Sequence, residues 1–355
     1  MKERIKPALM GRQKHKRLMM LSNSLLHPSC SRRVPSVIEA IGNTPMVRLE
    51  KASLDLNTEV WAKVEAFNPG ASAKDRVAKY MIERAEARGL LKPGGTIIEA
   101  TSGNTGYSLA MIAAVKGYHC VLTVTSKISQ EKINLLKALG AEIVICPKEA
   151  KPDSPESYYE KAKTLAREIP NSVYLNQNFN TDNMDAHYRS TGPEIWEQSE
   201  GRITHFIGST GTGGTVSGIA RYLKEQNPNV KIIGVDAYGS VLTKYWQTGE
   251  YDPNEIASYR IEGTGKNIIP KNVRFDLIDH YEKVPDREAA FRTRELAEME
   301  GLMMGYSSGA NLQALYQMAG QFQPDDFVVV IFHDHGSRYL GKVYNDEWMR
   351  QQGWM

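Results

Sequence analysis

Five short segments between Thr96 and Cys146 switch between two hydrophobic periods, and no other feature constrains the chain as much. TIIEAT (96–101), HCVLTVT (119–125) and AEIVIC (141–146) are apolar runs of strand length, while 104–116 and 129–139 repeat apolar residues at helical spacing. Strand, helix, strand, helix, strand within about fifty residues predicts parallel strands joined by helices that pack on the sheet. The punctuation agrees: Gly117 and Gly140 stand where helices close, and Ser129 where one opens. A second unit follows, with ITHFIGST (203–210), a helix over 215–226 and VKIIGVDA (230–237), then a helix over 286–300 and a strand over 327–332. The polar stretches 148–157 and 262–270 are read as loops. The expectation is an α/β fold of two three-layer domains with central, mostly parallel sheets that share a cleft.

A chain of 355 residues, 41% hydrophobic and 24% charged, is long enough for two buried cores. No apolar run approaches the roughly 18 residues that span a bilayer, so no membrane partner is expected. The formal net charge is +3, and between Arg4 and Ile38 there is no acidic residue. Residues 1–34 are therefore read as a basic, disordered N-terminal arm, whose composition is also that of organellar targeting segments. Without the arm the body is near neutral, and no nucleic-acid groove is implied. A cytoplasmic location is expected, with targeting by the arm as the alternative. Cys30, Cys120 and Cys146 show no metal or redox spacing, so reduced thiols are expected, the last two buried in strands.

Ligands of open α/β sheets gather at the carboxyl ends of strands, and three small-residue turns stand there. TSGNTG (101–106) offers hydroxyls, an amide and the unpaired N–H groups of a helix start, a receiver for a carboxylate; a capped turn is the plainer alternative. GSTGTGGT (208–215) offers five successive amides, Gly211 to Thr215, with few side chains in the way, as a phosphate monoester requires. It lacks the lysine of a nucleoside-triphosphate loop. Gly211 and Gly213, with Asp236 ending the next strand, fit part of a dinucleotide fingerprint, but Val216 stands at its third glycine, which leaves nicotinamide binding a minor alternative. GYSSGA (305–310) reads as a cap, through Ser307 and Ser308, on the helix NLQALYQMAG.

VEAFNPGASAKDR (64–76) crowds a turn before Lys74. An amine at the positive end of a helix, beside Arg76, has its charged form disfavoured, the condition for a nucleophile or base. With a phosphate cup and a carboxylate receiver, it meets the needs of pyridoxal 5′-phosphate and an amino acid.

IGNTPMVRL (41–49), SAKDR (72–76), TSGNTG, NQNFN (176–180), GTGGT (211–215) and GYSSG, in this order over nearly everything but the arm, resemble the fold type II pyridoxal-phosphate enzymes, specifically the cystathionine β-synthases and cysteine synthases. The resemblance implies a tryptophan synthase β-like fold, with a large cofactor domain (35–78 and 183–355) and a small mobile substrate domain (79–182). It implies that Lys74 bonds the cofactor and moves the substrate α-proton, that Asn104 meets the ring hydroxyl, and that Gly211, Thr212, Gly213, Gly214 and Thr215 hold the phosphate. Ser307 would face the pyridine nitrogen; Thr101, Ser102, Asn104, Thr105, Gln177 and Gly263 would contact substrate. A neutral hydroxyl at that nitrogen makes the ring a weaker electron sink, which suits loss of a β-leaving group.

The implied reaction is β-replacement on L-serine, or an activated serine, by homocysteine to give cystathionine. Cysteine synthesis from O-acetylserine and sulfide, or sulfide release from cysteine, are the alternatives. The stretches 152–157, 168–172, 234–240 and 334–349 look more like cystathionine β-synthases, although Lys266 and Asn178 stand where animal-type members carry tyrosines. Asp236 is a candidate for activating water or a hydroxyl leaving group, or else a structural cap. Neither haem nor S-adenosylmethionine control is expected. No metal is expected at His333 and His335, two imidazoles without a third ligand. A homodimer is implied.

Overall fold

The computed structural model describes residues 33–151 and 153–355. Almost all of the arm, Cys30 with it, and Pro152 of the 152–157 stretch lie outside the described residues. Residues 36–355 form one compact unit. Its strands along the chain are β1 (Met46–Arg48), β2 (Glu59–Val64), β3 (Thr96–Ala100), β4 (His119–Thr125), β5 (Glu142–Cys146), β6 (Ser172–Tyr174), β7 (His205–Ser209), β8 (Lys231–Ala237), β9 (His280–Val284) and β10 (Phe327–Phe332). They form two sheets, ordered β1-β2-β10-β7-β8-β9 and β5-β4-β3-β6. Every pairing is parallel except that of β1 with β2.

Both sheets reverse their direction of growth. The chain adds β4 and β5 on one side of β3 and β6 on the other; it adds β8 and β9 on one side of β7 and β10 on the other. A crevice opens at the carboxyl ends of the strands where growth reverses. The β3/β6 reversal is followed in sequence by Thr101–Thr105 and Gln177, and the β7/β10 reversal by Gly211–Thr215 and His333–Asp334. Topology alone therefore gathers the turns picked out above.

Side-chain alternation builds a core on each face of each sheet. On β10, Val328, Val330 and Phe332 pack with Leu296, Ala310 and Leu312, while Phe327, Val329 and Ile331 pack with Ile219 and Leu223. On β3, Ile97 joins Ile82 and Leu109, and Ile98 joins Ala162. Strands covered on both faces read as continuous apolar runs, which is why β3, β4 and β10 are plain in the sequence. Ser129 caps the helix Gln130–Ala138, and Gly117 and Gly140 adopt φ of 74° and 83° at helix ends. One helix differs from expectation: it runs Tyr306–Gln317, so Ser307 and Ser308 lie in its first turn, and Gly305 is the N-cap without a side-chain bond. Cys120 and Cys146 are free and buried. No helix among the described residues is long and apolar enough to cross a membrane.

Candidate active site

Asn68 to Ala73 turn the chain from β2 into the helix Lys74–Ala87. Ala71 takes φ 56°, a left-handed conformation that costs a non-glycine residue roughly 1–2 kcal/mol. The turn is held by the end of β10: Ala73 N donates to His333 O at 2.8 Å, and His335 N to Ala71 O at 3.2 Å. Asp75 accepts from Gly70 N and Ser108 Oγ, each at 2.5 Å. Arg76 is buried against Glu65 at 2.7 Å and Glu194 at 2.6 Å. Burial alone would raise the Glu65 carboxyl, but the Arg76 guanidinium outweighs it and holds Glu65 down to about 2.

Lys74 Nζ, in contrast, makes no hydrogen bond or ion pair with any described residue. Burial lowers its pKa, with the charges of Asp334 and Glu65 pulling the other way. The direction is the expected one but the cause is not. Arg76 is neutralised by two carboxylates, and desolvation disfavours the ammonium form.

Beside Lys74 opens a hollow lined also by Ser209, Gly211, Thr212, Gly213, Thr215, Gly263 and His333. The amides of Gly211 through Thr215 donate to no acceptor among the described residues, and they stand at the start of the helix Gly214–Gln226. Unpaired amides at a helix N-terminus form an anion site. The cup has no room for side chains: a Cβ on Gly211 would lie 2.3 Å from Gly263 O, and one on Gly214 2.1 Å from Asn183 Oδ1. Asn183 Nδ2 donates to Thr212 Oγ1 at 3.0 Å, and His187 Nε2 lies 3.1 Å from Thr215 Oγ1. Val216, the misfit in the dinucleotide pattern, is accommodated by Gly208 on β7, where a Cβ would meet Val216 Cγ2 at 3.2 Å.

The second turn is built at β3. Thr105 Oγ1 donates to Gln177 Oε1 at 2.7 Å, joining the helix Asn104–Lys116 to the segment after β6. Gly103 N donates to Thr101 Oγ1 at 3.2 Å, and the amides of Ser102, Asn104 and Thr105 meet no described acceptor. Asn104 Nδ2 donates to Asp334 Oδ2 at 2.7 Å. Gly305 N donates to Asp334 O at 2.8 Å, so the helix carrying Ser307 starts beside that carboxylate. Asp236 is not part of the hollow's lining. Its carboxylate accepts from Ala237 N at 3.0 Å and from Thr243 N and Oγ1 at 3.0 and 2.7 Å, which caps the following helix.

Residues 37–334 match the family described as pyridoxal-phosphate dependent enzyme. The chain belongs to this family. The cystathionine beta-synthase of Apis mellifera is 45% identical over 324 residues, 91% of this chain and 64% of its own length. Cysteine synthase 1 of Emericella nidulans is 41% identical over 323 residues, 90% of this chain and 87% of its own length. A solved structure of a hydrogen sulfide-producing enzyme from Fusobacterium nucleatum aligns with TM-score 0.79 at 36% identity, over 87% of this chain and all of that one. The chain spans under two thirds of the length of the first curated relatives, down to 57% for the cystathionine beta-synthase of Mus musculus.

The site fits the cofactor of a pyridoxal-phosphate dependent enzyme: an unpaired, desolvated amine faces the same hollow as amides that have no acceptor of their own. With the family shown, the nicotinamide alternative falls. Asp334, Asn183 and His187 were not singled out in the sequence. Asp334 had a readable signal, since it lies just past the carboxyl end of β10, where the strand-end rule directs attention. His333, considered there only as a metal ligand, lines the hollow; burial lowers its pKa to about 3, so its ring is neutral.

Proposed function

We propose that this enzyme replaces the β-substituent of L-serine, or of an activated serine, with the thiol of homocysteine, giving cystathionine and releasing water from serine or the corresponding acid from an ester. The observation that carries the reading is the unpaired Lys74 amine beside a cup of five free amides, together with the Thr105–Gln177 pair at the neighbouring turn. Similarity to cystathionine beta-synthases at 45% identity favours serine and homocysteine.

Pyridoxal 5′-phosphate supplies the conjugated ring that withdraws electrons from the substrate's α-carbon bonds. Gly211, Thr212, Gly213, Gly214 and Thr215 hold its phosphate, Asn104 its ring hydroxyl, and Ser307 its ring nitrogen. Thr101, Ser102, Thr105 and Gln177 hold the substrate carboxylate, with Gly263 closing the site. Lys74 takes the proton from the substrate α-carbon and later returns it to the same atom. Asp236 acts as a cap. Residues 79–182 form a small domain that closes over substrate against the remainder of the body, and the active form is a cytoplasmic homodimer without a nucleic-acid partner.

A second reading, sulfide as acceptor or product, is favoured by the likeness to cysteine synthase 1 and to the hydrogen sulfide-producing enzyme. The visible spectrum of purified protein, recorded before and after L-serine or O-acetyl-L-serine, tests both. A yellow protein whose band shifts with serine supports cystathionine formation. A shift with the ester alone moves the assignment to cysteine synthesis, and a colourless protein that cannot be reconstituted rejects both. Gel filtration with light scattering reads the dimer.

A further inference from the structure

The loop after Ile261 carries a second lysine, Lys266, three residues beyond a glycine of the hollow's lining. Gly263 lines the hollow. Gly265 N donates to Thr210 O at 2.8 Å, Lys266 N to Ser240 Oγ at 3.0 Å, and Val241 N to Lys266 O at 2.9 Å. Three bonds thus fasten the backbone at Lys266 to the segments leaving β7 and β8. A Cβ on Gly265 would meet Ser240 Cβ at 2.9 Å and Tyr259 Oη at 3.0 Å, so the neighbouring packing is close.

The Lys266 side chain is half-buried, yet its Nζ makes no hydrogen bond or ion pair with any described residue. The charges it faces are Lys74 and Glu99. Lys74 repels it. Glu99 already accepts from Ala100 N at 3.1 Å and Gln177 N at 3.3 Å. Burial raises the Glu99 carboxyl to about 8, so near neutral pH it supplies little negative charge. Removing an ammonium from water without a counter-ion is unfavourable, and an anionic ligand would reverse that.

The amino-acid substrate has its own carboxylate receiver at Thr101–Thr105. We propose that Lys266 binds the carboxylate of the second, thiol-bearing substrate, and so selects a thiol amino acid over sulfide as acceptor. This rests on the β-replacement reading above and sharpens it.

The test compares the holoenzyme with Lys266→Gln and Lys266→Arg, using L-serine with either L-homocysteine or 2-mercaptoethanol, which has no carboxylate. In Lys266→Gln the KM for homocysteine is expected to rise on the order of tenfold or more at nearly unchanged kcat. The KM for 2-mercaptoethanol stays, and Lys266→Arg recovers most of the loss. Equal effects on both thiols, or none, overturn the proposal; equal kcat losses would mark Lys266 as a base instead. Calorimetric titration with 3-(methylthio)propionate, L-serine present, reads the contact without turnover. Affinity that falls in Lys266→Gln while no thiol is consumed supports the subsite and rejects the reaction. Turnover with affinity indifferent to Lys266 does the reverse.

Discussion

Asn104 and Asp334 are joined side chain to side chain at 2.7 Å across 230 residues of sequence, with the amide as donor and Asp334 Oδ2 as acceptor. Tyr339 Oη donates to the same oxygen at 2.8 Å, and Arg338 reaches Asn104 Oδ1 and Gly70 O from the other side. Both ends of the amide are therefore held, and one N–H of Nδ2 stays free for a ligand. Asp334→Ala should release this orientation and weaken cofactor affinity roughly ten- to a hundredfold, the worth of a hydrogen bond to a charged group. Absorbance titration of the reconstituted apoprotein measures it, and unchanged affinity would rule out the positioning role.

Lys74 stands in the opposite relation to stability. Its Nζ bonds to nothing among the described residues and is desolvated, so Lys74→Ala removes an unfavourable buried charge. The midpoint of thermal unfolding of the apoprotein should stay level or rise, while the visible band of the reconstituted protein and all activity disappear. A clear fall in the unfolding midpoint would show that the amine has a structural partner.

Gly214 couples the cup to the second turn. A Cβ there would lie 2.1 Å from Asn183 Oδ1, and Asn183 Nδ2 donates to both Thr212 Oγ1 and Gln177 O, at 3.0 and 2.8 Å. Gly214→Ala should displace Asn183, disturb both binding turns and cost about 1–3 kcal/mol of stability, as overpacking does. Bound cofactor per chain and urea midpoints report the two effects; a variant that keeps both intact contradicts the close packing of the cup.

Where the fold was legible in the sequence, burial made it so. β3, β4 and β10 are covered on both faces and announce themselves as apolar runs, whereas β1, β6 and β9 are short edge strands with mixed composition. β2 was hidden for another reason. Its Lys63 is fully buried in the sheet, and its partner Glu194, at 2.6 Å, lies 131 residues away. A charge in a central strand argues against a strand until the partner is known. The site was legible through small residues at strand ends, a rule that also reaches Asp334 just past β10; Asn183 and His187, which orient the cup, were not legible, because they act on Thr212 and Thr215 across 29 and 28 residues of chain.

Glu262 accepts from Lys132 at 2.9 Å and from Lys342 on its other oxygen. Lys132 belongs to the helix Gln130–Ala138 beside the four-stranded sheet, and Glu262 precedes Gly263 of the hollow. All three side chains are partly exposed, so Glu262→Gln should cost stability only about 0.2–1 kcal/mol. If the triad holds the cleft shut, the KM for serine should rise in the variant and lose the salt dependence it has in the parent. A parent KM indifferent to salt would remove that role.

Glu99 sets a pH dependence of the opposite sense to an ordinary ion-paired carboxylate. It is 1% exposed, and burial lifts its pKa from 4.5 to about 8 despite the backbone amides it accepts from. Below 4.5 both folded and unfolded chains carry the proton, and the group contributes nothing to pH dependence. Between 4.5 and 8 the unfolded chain ionises while the folded one stays protonated, so stability falls as pH rises. Above 8 both are ionised and the penalty is constant. Glu99→Gln keeps an acceptor oxygen and never ionises. It should match the parent near pH 4.5 and exceed it at pH 8 by on the order of 2–4 kcal/mol, read from urea unfolding at the two pH values. An advantage that does not grow with pH would mean that Glu99 is already ionised at neutral pH, and Lys266 would then have its counter-ion within the protein.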